Sequence, residues 1–279
     1  MTPACPQELR RLYREGRVIP FVGAGASMAV EWVQDGATHR GRSWRGLVDK
    51  AAELIGTDDP ELLRMRGSDL QILEYLRIKR GGMQPLINWL HASMQPRNED
   101  IQRSVLHTAL ARLKTCRLIY TTNYDDFIER ALRIYGRAVV SIAAEHDLSQ
   151  HLAETQVVKF HGDFDRPAAM VLSESDYERR MRLESAMDLK LRSDILGRAL
   201  LFVGYSFRDA NVAYLFRLVH ERFGDLPQSF AGKRAYIIYP NPSDFEMRLF
   251  NERRIEVIPT SGPDLAQAAA SVLDAMARL

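Results

Sequence analysis

The stretch that decides the fold is RVIPFVGAGAS, which runs from Arg17 to Ser27. Its apolar part, Val18 to Val22, predicts a short buried strand, and that strand stops at Gly23 and Gly25, two glycines separated by one small residue. Glycines let the backbone turn sharply and approach a ligand closely, and the small residues that follow can begin a helix whose first N–H groups face an anion. The stretch therefore predicts a strand, a phosphate-binding turn and a helix, with a nucleotide or dinucleotide as the ligand.

The glycine turn is only part of the dinucleotide fingerprint. Met28 stands where a third glycine would be, and no Gly-Lys-Ser/Thr follows, which excludes a P-loop of the nucleoside triphosphatases. An ordinary nicotinamide dehydrogenase would have a second strand ending in Asp or Glu about twenty residues later, whereas residues 41–51 have the pattern of a loop entering a helix. Taken alone, the stretch leaves a tight turn without a ligand as an open alternative.

The composition is that of an ordinary globular protein with a sizeable core. Of 279 residues, 46% are hydrophobic and 27% are charged, which predicts one large α/β domain or one such domain with a helical insertion. The 38 basic and 36 acidic residues leave a formal net charge of +2, so no overall field attracts nucleic acid or an anionic membrane. We therefore predict neither direct nucleic-acid binding nor membrane association.

The two cysteines, Cys5 and Cys116, lie far apart and form no Cys-x-x-Cys motif. This excludes a four-thiolate zinc site and argues against a disulfide framework, and we expect no metal. Because Cys116 precedes a strand-like run, it is expected to be a buried thiol. No apolar signal region follows the N terminus, and no stretch reaches the roughly eighteen apolar residues of a membrane span, so we expect a cytoplasmic protein.

Strand-like and helix-like segments alternate from residue 117 onward. We predict strands over 118–121, 138–142, 156–160, 199–203, 235–239 and 255–258, and helices over 125–134, 175–191, 211–223 and 264–279. Before residue 117 we predict an irregular segment over 31–43, followed by helices near 47–55, 70–76, 85–93 and 101–113.

Strands joined by helices imply a doubly wound, mostly parallel, Rossmann-like sheet, with a small helical subdomain inserted after the first strand. The whole chain, 1–279, is interpreted as one domain with a Rossmann-like core over 1–30 and 114–279. The helical insertion then occupies 43–113.

Ligands of such sheets bind at the carboxyl ends of the strands, where the strand order reverses. Three predicted strands end in unusual polar turns, which are TTNYD over 121–125, KFHGD over 159–163 and FVGYS over 202–206. Each turn also has a structural alternative. Thr122 or Asn123 can cap the helix that follows, and both His161-Gly162 and the turn from Gly204 to Ser206 can be plain turns.

Together and in this order, the four turns resemble those of the sirtuin-like family of NAD-consuming enzymes. The matching residues are Gly23, Ala24, Gly25 and Ser27; Asn123 and Asp125; His161 and Gly162; and Gly204 and Ser206. The resemblance spans Phe21 to Tyr239. The turns after 121, 159 and 204, with the segment Leu172 to Tyr177, look most like the bacterial branch found in antiphage defence systems.

The resemblance implies hydrolysis of NAD to nicotinamide and ADP-ribose, with NAD as substrate and no metal. Breaking this bond develops positive charge at the ribose carbon, so the site needs polar groups that orient the ribose and a water. Asn123 is suited to that role, and His161 is suited to act as a base near neutral pH. The resemblance places Asp125 at the nicotinamide carboxamide, and the pyrophosphate and adenosine side of NAD is expected at Gly23, Ala24, Gly25, Ser27, Gly204 and Ser206. Asp209 is expected either to cap the following helix or to bind a ribose.

Two departures from the family keep other functions open. Its protein deacylases usually carry a zinc module with four cysteines after the histidine, whereas here Asp163 to Arg180 leads directly into a charged helix. The alternatives are a zinc-free NAD-dependent deacylase and a noncatalytic subunit that binds NAD or ADP-ribose. The family's acidic-aromatic-arginine segment is represented only by Ser43-Trp44-Arg45, in which Arg45 is a weak candidate ligand and Trp44 is interpreted as core.

Control of the activity is expected to come from outside this domain. Unregulated NAD hydrolysis is toxic, and the chain ends at Leu279, directly after the predicted closing helix. We therefore expect a homo-oligomer or a separate regulatory partner, such as a nucleic-acid-driven ATPase or an Argonaute-type protein.

Overall fold

A sheet of seven parallel strands carries the polar turns in the computed structural model, which describes residues 5–56, 60–149, 155–182, 184–206 and 235–278. The strand order is β5-β6-β4-β1-β7-β8-β9. The strands are β1 (Val18–Val22), β4 (Leu118–Thr121), β5 (Val139–Ile142), β6 (Thr155–Lys159), β7 (Ala199–Val203), β8 (Ala235–Pro240) and β9 (Ile255–Thr260), while β2 (Glu31–Gln34) and β3 (Ala37–Arg40) form a separate hairpin.

The strand order reverses at β1, which lies between β4 and β7. Val22, the last residue of β1, is paired with Thr121 of β4 on one side and with Val203 of β7 on the other. The turns that follow these three strands therefore begin at the same level and lie side by side. The predicted doubly wound, Rossmann-like sheet is confirmed, and its reversal point is where such sheets bind ligands.

Both faces of the sheet are buried, which explains the continuous apolar runs of its central strands. Alternate residues of β1 point to opposite faces, so Val18 and Val22 belong to one hydrophobic cluster and Ile19 and Phe21 to the other. The cluster on the side of Val22 also includes the buried residues of the helices between residues 44 and 111. Those helices are thus packed into the same core as the sheet.

Helices cover both faces of the sheet. They are α1 (Gln7–Arg14), α2 (Ala24–Ser27), α3 (Trp44–Ile55), α4 (Pro60–Arg66), α5 (Asp69–Arg80), α6 (Gln84–Ala92), α7 (Asn98–Arg103), α8 (Val105–Ala111), α9 (Phe127–Ile134), α10 (Glu174–Met181), α11 (Ala186–Asp194), α12 (Asp244–Glu252) and α13 (Leu265–Ala277). None of these described helices is long and apolar enough to cross a membrane. The division into an insertion over 43–113 and a core over 1–30 and 114–279 stays a prediction.

The segment predicted to be irregular, 31–43, contains the β2–β3 hairpin, so that prediction was wrong. Asp35 and Gly36 form its two-residue turn with φ values of 51° and 75°, the backbone that an Asp-Gly turn favours between twisted strands. Trp32 is buried and its ring stacks on His39, with 5.9 Å between the centroids. The hairpin is thereby attached to the core by one aromatic side chain.

The helix predicted over 175–191 is two helices, α10 and α11. The second begins because the Ser185 hydroxyl accepts a hydrogen bond from the N–H of Asp188, while the Asp188 carboxylate binds the Ser185 N–H. This capping box defines a helix start. The helix predicted over 211–223 lies outside the described residues.

A buried histidine on α8 predicts loss of stability in mild acid. Burial lowers the pKa of His107 to about 4, from 6.5 in water. As pH falls from 6.5 toward 4, the unfolded chain binds a proton at this position before the folded protein does, so the free energy of unfolding decreases, by up to about 3 kcal/mol. Urea unfolding across this pH range should show a smaller decrease in the free energy of unfolding for His107→Gln than for the wild type. The exposed His91→Gln should behave as the wild type, and an equal pH dependence in all three proteins would refute the expectation.

Candidate functional site

The turns after β1 and β7 touch through their backbones. The N–H of Gly23 donates to the carbonyl of Val203 and that of Gly25 to the carbonyl of Gly204, both at 2.9 Å. A Cβ added to Gly25 would lie 2.8 Å from the Gly204 oxygen, and one added to Gly204 would lie 2.6 Å from the Ala26 nitrogen. Gly25 and Gly204 are therefore needed because a side chain at either position would disrupt the close contact between the two turns.

Asn123 connects the turn after β4 to the glycine turn. Its side-chain Nδ2 donates to the carbonyl of Gly23 at 3.0 Å and to the hydroxyl of Ser27 at 2.9 Å. Because a carbonyl oxygen only accepts hydrogen bonds, the amide atom that faces Gly23 must be the nitrogen, which fixes the orientation of the amide. Asn123 does not cap α9, so this structural alternative was wrong for Asn123.

Asp125 completes a hydrogen-bonded relay with Asn123 and Ser27. The Ser27 hydroxyl donates to Oδ2 of Asp125 at 2.6 Å, and the N–H of Phe127 donates to Oδ1 at 3.2 Å. Burial raises the pKa of the Asp125 carboxyl group, and the charge of Lys159 opposes that rise. Both carboxyl oxygens of Asp125 are thus hydrogen-bonded, one to the Ser27 hydroxyl and the other to the Phe127 N–H.

His161 lies at the end of β6 and is almost fully buried, with 2% of its surface exposed. Its ring stacks on Phe160 and meets the edge of Tyr177, with centroid distances of 5.8 and 5.3 Å. Burial, with the nearby charge of Arg180, lowers the pKa of His161 well below 6.5, so the imidazole is neutral. Within the described part of the chain, Nδ1 has no hydrogen-bond partner.

Two adjoining cavities open at this edge of the sheet. The smaller, of about 50 Å³, is lined by Ala24, Ser27, Arg42, Trp44, Asn123 and Asp125, among others. The larger, of about 1150 Å³, is lined by Ala24, Gly25, Trp44, Gly204 and Ser206, together with apolar residues near α8 and α13. Ala24 and Trp44 border both cavities, which makes their walls continuous.

Most of the predicted site residues are thus brought together. Gly23, which is not among the residues lining either cavity, is held by the amide of Asn123. His161 lines neither cavity, although Tyr177 contacts both it and Trp44, with 6.4 Å between the ring centroids of Trp44 and Tyr177. The proposed ligand Asp209 lies outside the described residues.

Side chains that were not predicted to bind a ligand also line the cavities, among them Arg42 and Trp44. Arg42 lines the smaller cavity with its guanidinium carbon 5.2 Å from the Trp89 ring centre, and its Nε has no hydrogen-bond partner among the described residues. Trp44, interpreted from the sequence as core, packs on the core but also lines both cavities, and its Nε1 donates to Asp69 at 2.9 Å. No pattern in the sequence indicates that Arg42 lines a cavity.

No metal centre is formed by the described residues. Within ranges 5–56, 60–149, 155–182, 184–206 and 235–278, no group of three or more His, Cys, Asp or Glu side chains is placed to hold a metal ion. The buried Cys5 and Cys116 are both free thiols.

A family model described as a SIR2-like domain matches residues 117–258, which is half of the chain. The chain belongs to the SIR2-like family. The matched range of this SIR2-like domain includes the turns that carry Asn123, Asp125, His161 and Gly204. The family predicted from the four turns is confirmed.

Curated relatives of this SIR2-like domain include two kinds of bacterial protein. NAD(+) hydrolase ThsA of Bacillus cereus is 30% identical over 73% of this chain and 40% of its own length. Defense-associated sirtuin 2 of Bacillus subtilis is 27% identical over 87% of this chain and 22% of its own length. The chain thus spans about two fifths or less of these relatives.

A solved structure of a Sir2 homologue in complex with NAD covers 99% of this chain and 94% of its own chain, with 16% identity and a TM-score of 0.40. That score is too low to define a shared topology. The fold assignment of the SIR2-like domain therefore rests on its own sheet order and register.

Proposed function

We propose that this SIR2-like domain hydrolyses NAD to nicotinamide and ADP-ribose. The observation that carries the proposal is the relay of Asn123, Ser27 and Asp125 in the wall of the smaller cavity. It lies at the reversal point of a parallel sheet, where this architecture binds nucleotides. Several curated relatives named NAD(+) hydrolase, including two at 30% identity, support the same activity.

In the proposed mechanism the polar groups act on the bond between nicotinamide and ribose. Cleavage leaves positive charge at the ribose carbon, and groups that are already oriented stabilise such a charge without having to reorganise. The orientation of Asn123 leaves Oδ1 available to a water or a ribose hydroxyl, since no donor from the described residues reaches it. His161, neutral because of its burial, is proposed as the base that accepts a proton.

The larger cavity is proposed to receive the remainder of the dinucleotide. Its volume of about 1150 Å³ is at the upper end for ligand sites. Its wall includes Gly25, Gly204 and Ser206, which we propose as cofactor-binding residues. Arg45 also lies on this wall. The N–H of Gly25 is already bound to the Gly204 carbonyl, so this donor is not available to a ligand. Asp209 remains a proposed ligand outside the described residues.

The biological role that we propose is defence by depletion of NAD. A relative named Defense-associated sirtuin 2 aligns over 87% of this chain, which supports that role. Regulation by a homo-oligomer or by a separate protein, such as a nucleic-acid-driven ATPase or an Argonaute-type partner, remains part of the proposal. So does a cytoplasmic location.

The test is a product assay on the full chain, alone and with a coexpressed neighbouring gene product. Incubation with NAD should release nicotinamide and ADP-ribose in equal amounts, measured by liquid chromatography. Release that requires an acyl-lysine peptide would identify a deacylase instead. Tight NAD binding by calorimetry without any product, under both conditions, would refute the hydrolase and favour a binding subunit.

The role of His161 makes a separate prediction. Replacing it with glutamine, which keeps a polar side chain but removes the base, is expected to lower kcat by about 10²–10⁴-fold. His146→Gln is the matched control, since His146 is exposed over 71% of its side chain and lies away from both cavities. Initial rates of nicotinamide release should therefore separate the two variants. Equal rates would remove His161 from the mechanism.

A further inference from the structure

Lys159 is a charged side chain buried next to the candidate site. It is the last residue of β6, and only 1% of its side chain is exposed. Burying a charge is costly unless the charge has partners, so a buried ammonium group in a stable protein has acceptors around it. The acceptors around Lys159 therefore show which parts of the site its charge stabilises.

Two oxygen atoms from neighbouring elements surround the ammonium group. Lys159 Nζ donates to the main-chain oxygen of Asp125, and it lies 3.4 Å from Oε1 of Glu129, whose side chain is 3% exposed. The hydroxyl of Ser141 also donates to this Glu129 oxygen, at 3.2 Å. These contacts connect the turn after β4 to α9, β5 and β6.

The ammonium group also acts on the side chain of Asp125. Burial favours the neutral form of this carboxyl group, as does the nearby charge of Asp126, whereas the charge of Lys159 favours the ionised form. The hydroxyl of Ser27 and the N–H of Phe127 face the same carboxyl group and donate to it. Glu129 of α9 is the other buried carboxyl group near Lys159, and the Asp125 charge adds to the effect of burial in raising the pKa of Glu129.

The charge on Asp125 determines which groups donate and which accept in the hydrogen bonds that join Asn123, Ser27 and Asp125. A carboxylate only accepts, so the Ser27 hydroxyl must donate to Asp125 and accept from the amide of Asn123. A protonated Asp125 is able to donate to Ser27, which would release the hydroxyl from that arrangement. The Gly23 carbonyl orients the Asn123 amide, and the charge on Asp125 makes the Ser27 hydroxyl the second acceptor for that amide.

We propose that Lys159 is a positioning residue for the reaction. It keeps Asp125 ionised and its main chain in place, and it thereby keeps the Ser27 hydroxyl as an acceptor for the Asn123 amide at the cavity wall. The kinetic part of this inference rests on the proposed hydrolysis of NAD. The structural part, which is the charge on Asp125, does not.

The deciding measurement is an NMR titration of Asp125 in the full chain, labelled with carboxyl-¹³C aspartate and assigned with Asp125→Asn. In Lys159→Met the titration is expected to move to higher pH by about 1–3 units, because the favourable charge is lost. In Glu129→Gln it should move to lower pH, because a like charge is lost. The exposed Lys79→Met should leave it unchanged. No shift in Lys159→Met, or shifts of both buried variants in the same direction, would overturn the inference.

Kinetics give a second readout. Because Lys159 is not among the residues that line either cavity, Lys159→Met should lower kcat for NAD cleavage by about 10²-fold while KM changes little. A loss confined to KM would contradict a positioning role. If Lys159→Met fails to fold, Glu129→Gln decides: a titration moved to lower pH supports the inference, and any other result overturns it. A wild-type protein that cleaves no NAD would refute the proposed function, yet the titration would still test Lys159.

Discussion

Replacing Asn123 with alanine is expected to reduce NAD hydrolysis by about 10²–10³-fold, as loss of one oriented polar group at a reacting centre typically does. The amide lies in the wall of the smaller cavity, and its nitrogen binds both the Gly23 carbonyl and the Ser27 hydroxyl. Alanine removes the group proposed to orient water and ribose. Nicotinamide release at saturating NAD measures the effect.

The matched control for this prediction is Asn88→Ala. Asn88 is an exposed residue of α6, where the same atoms are removed away from both cavities. Circular dichroism and thermal unfolding should confirm that both variants remain folded. Activity of Asn123→Ala within a few-fold of that of Asn88→Ala would show that the amide has no part in the reaction.

The second large effect is expected from Gly204→Ala, which should lower the free energy of unfolding by about 3 kcal/mol. Gly204 has a φ of +75°, which strains any residue with a Cβ, and the added Cβ would lie 2.6 Å from the Ala26 backbone nitrogen. Strain of this kind costs roughly 1–3 kcal/mol and overpacking a similar amount. Urea unfolding of the purified variants measures the sum.

Gly136→Ala separates the two causes. Gly136 also has a φ of +75°, but a Cβ added there would meet no atom within 4 Å. This variant should therefore lose only the conformational part, about 1 kcal/mol. Equal losses in Gly136→Ala and Gly204→Ala would mean that the turns after β1 and β7 move apart readily. In that case the close contact of Gly204 with Gly25 would not determine the shape of the cavity.

Much of the sheet follows from local sequence. The runs Val18–Val22 and Ala199–Val203 are wholly apolar because each strand is covered on both faces, and such runs predict central parallel strands directly. The glycines that follow them are required by close backbone approach, which is a local and recognisable demand. Family resemblance then identified the ordered set of turns, and the SIR2-like match confirms that identification.

The hairpin was missed because its strands are four residues long and largely exposed. Only Trp32 is buried in β2, so the segment lacks the alternation that predicts a strand. The signal that was present is the Asp35-Gly36 turn, whose positive φ values suit a two-residue hairpin. Weak strands are thus better recognised from their turn than from their side chains.

The environment of the site residues was less predictable than their identity. His161 was expected to act as a base near neutral pH, whereas packing against Tyr177 from α10 leaves it 2% exposed, and burial lowers its pKa well below 6.5. Arg42 reaches the smaller cavity because Trp89 of α6 supports its guanidinium group. Both features depend on contacts between elements that are distant in sequence, and no local pattern encodes them.

Ala24 and Trp44 border both cavities, and this shared wall bears on how products leave. A dinucleotide that extends from one cavity into the other is held at both ends, and each end raises the effective concentration of the other. Cleavage of the bond between the two parts removes this increase in effective concentration. Each product would then have only its own contacts, so the proposed hydrolysis would convert one firmly held ligand into two that dissociate easily.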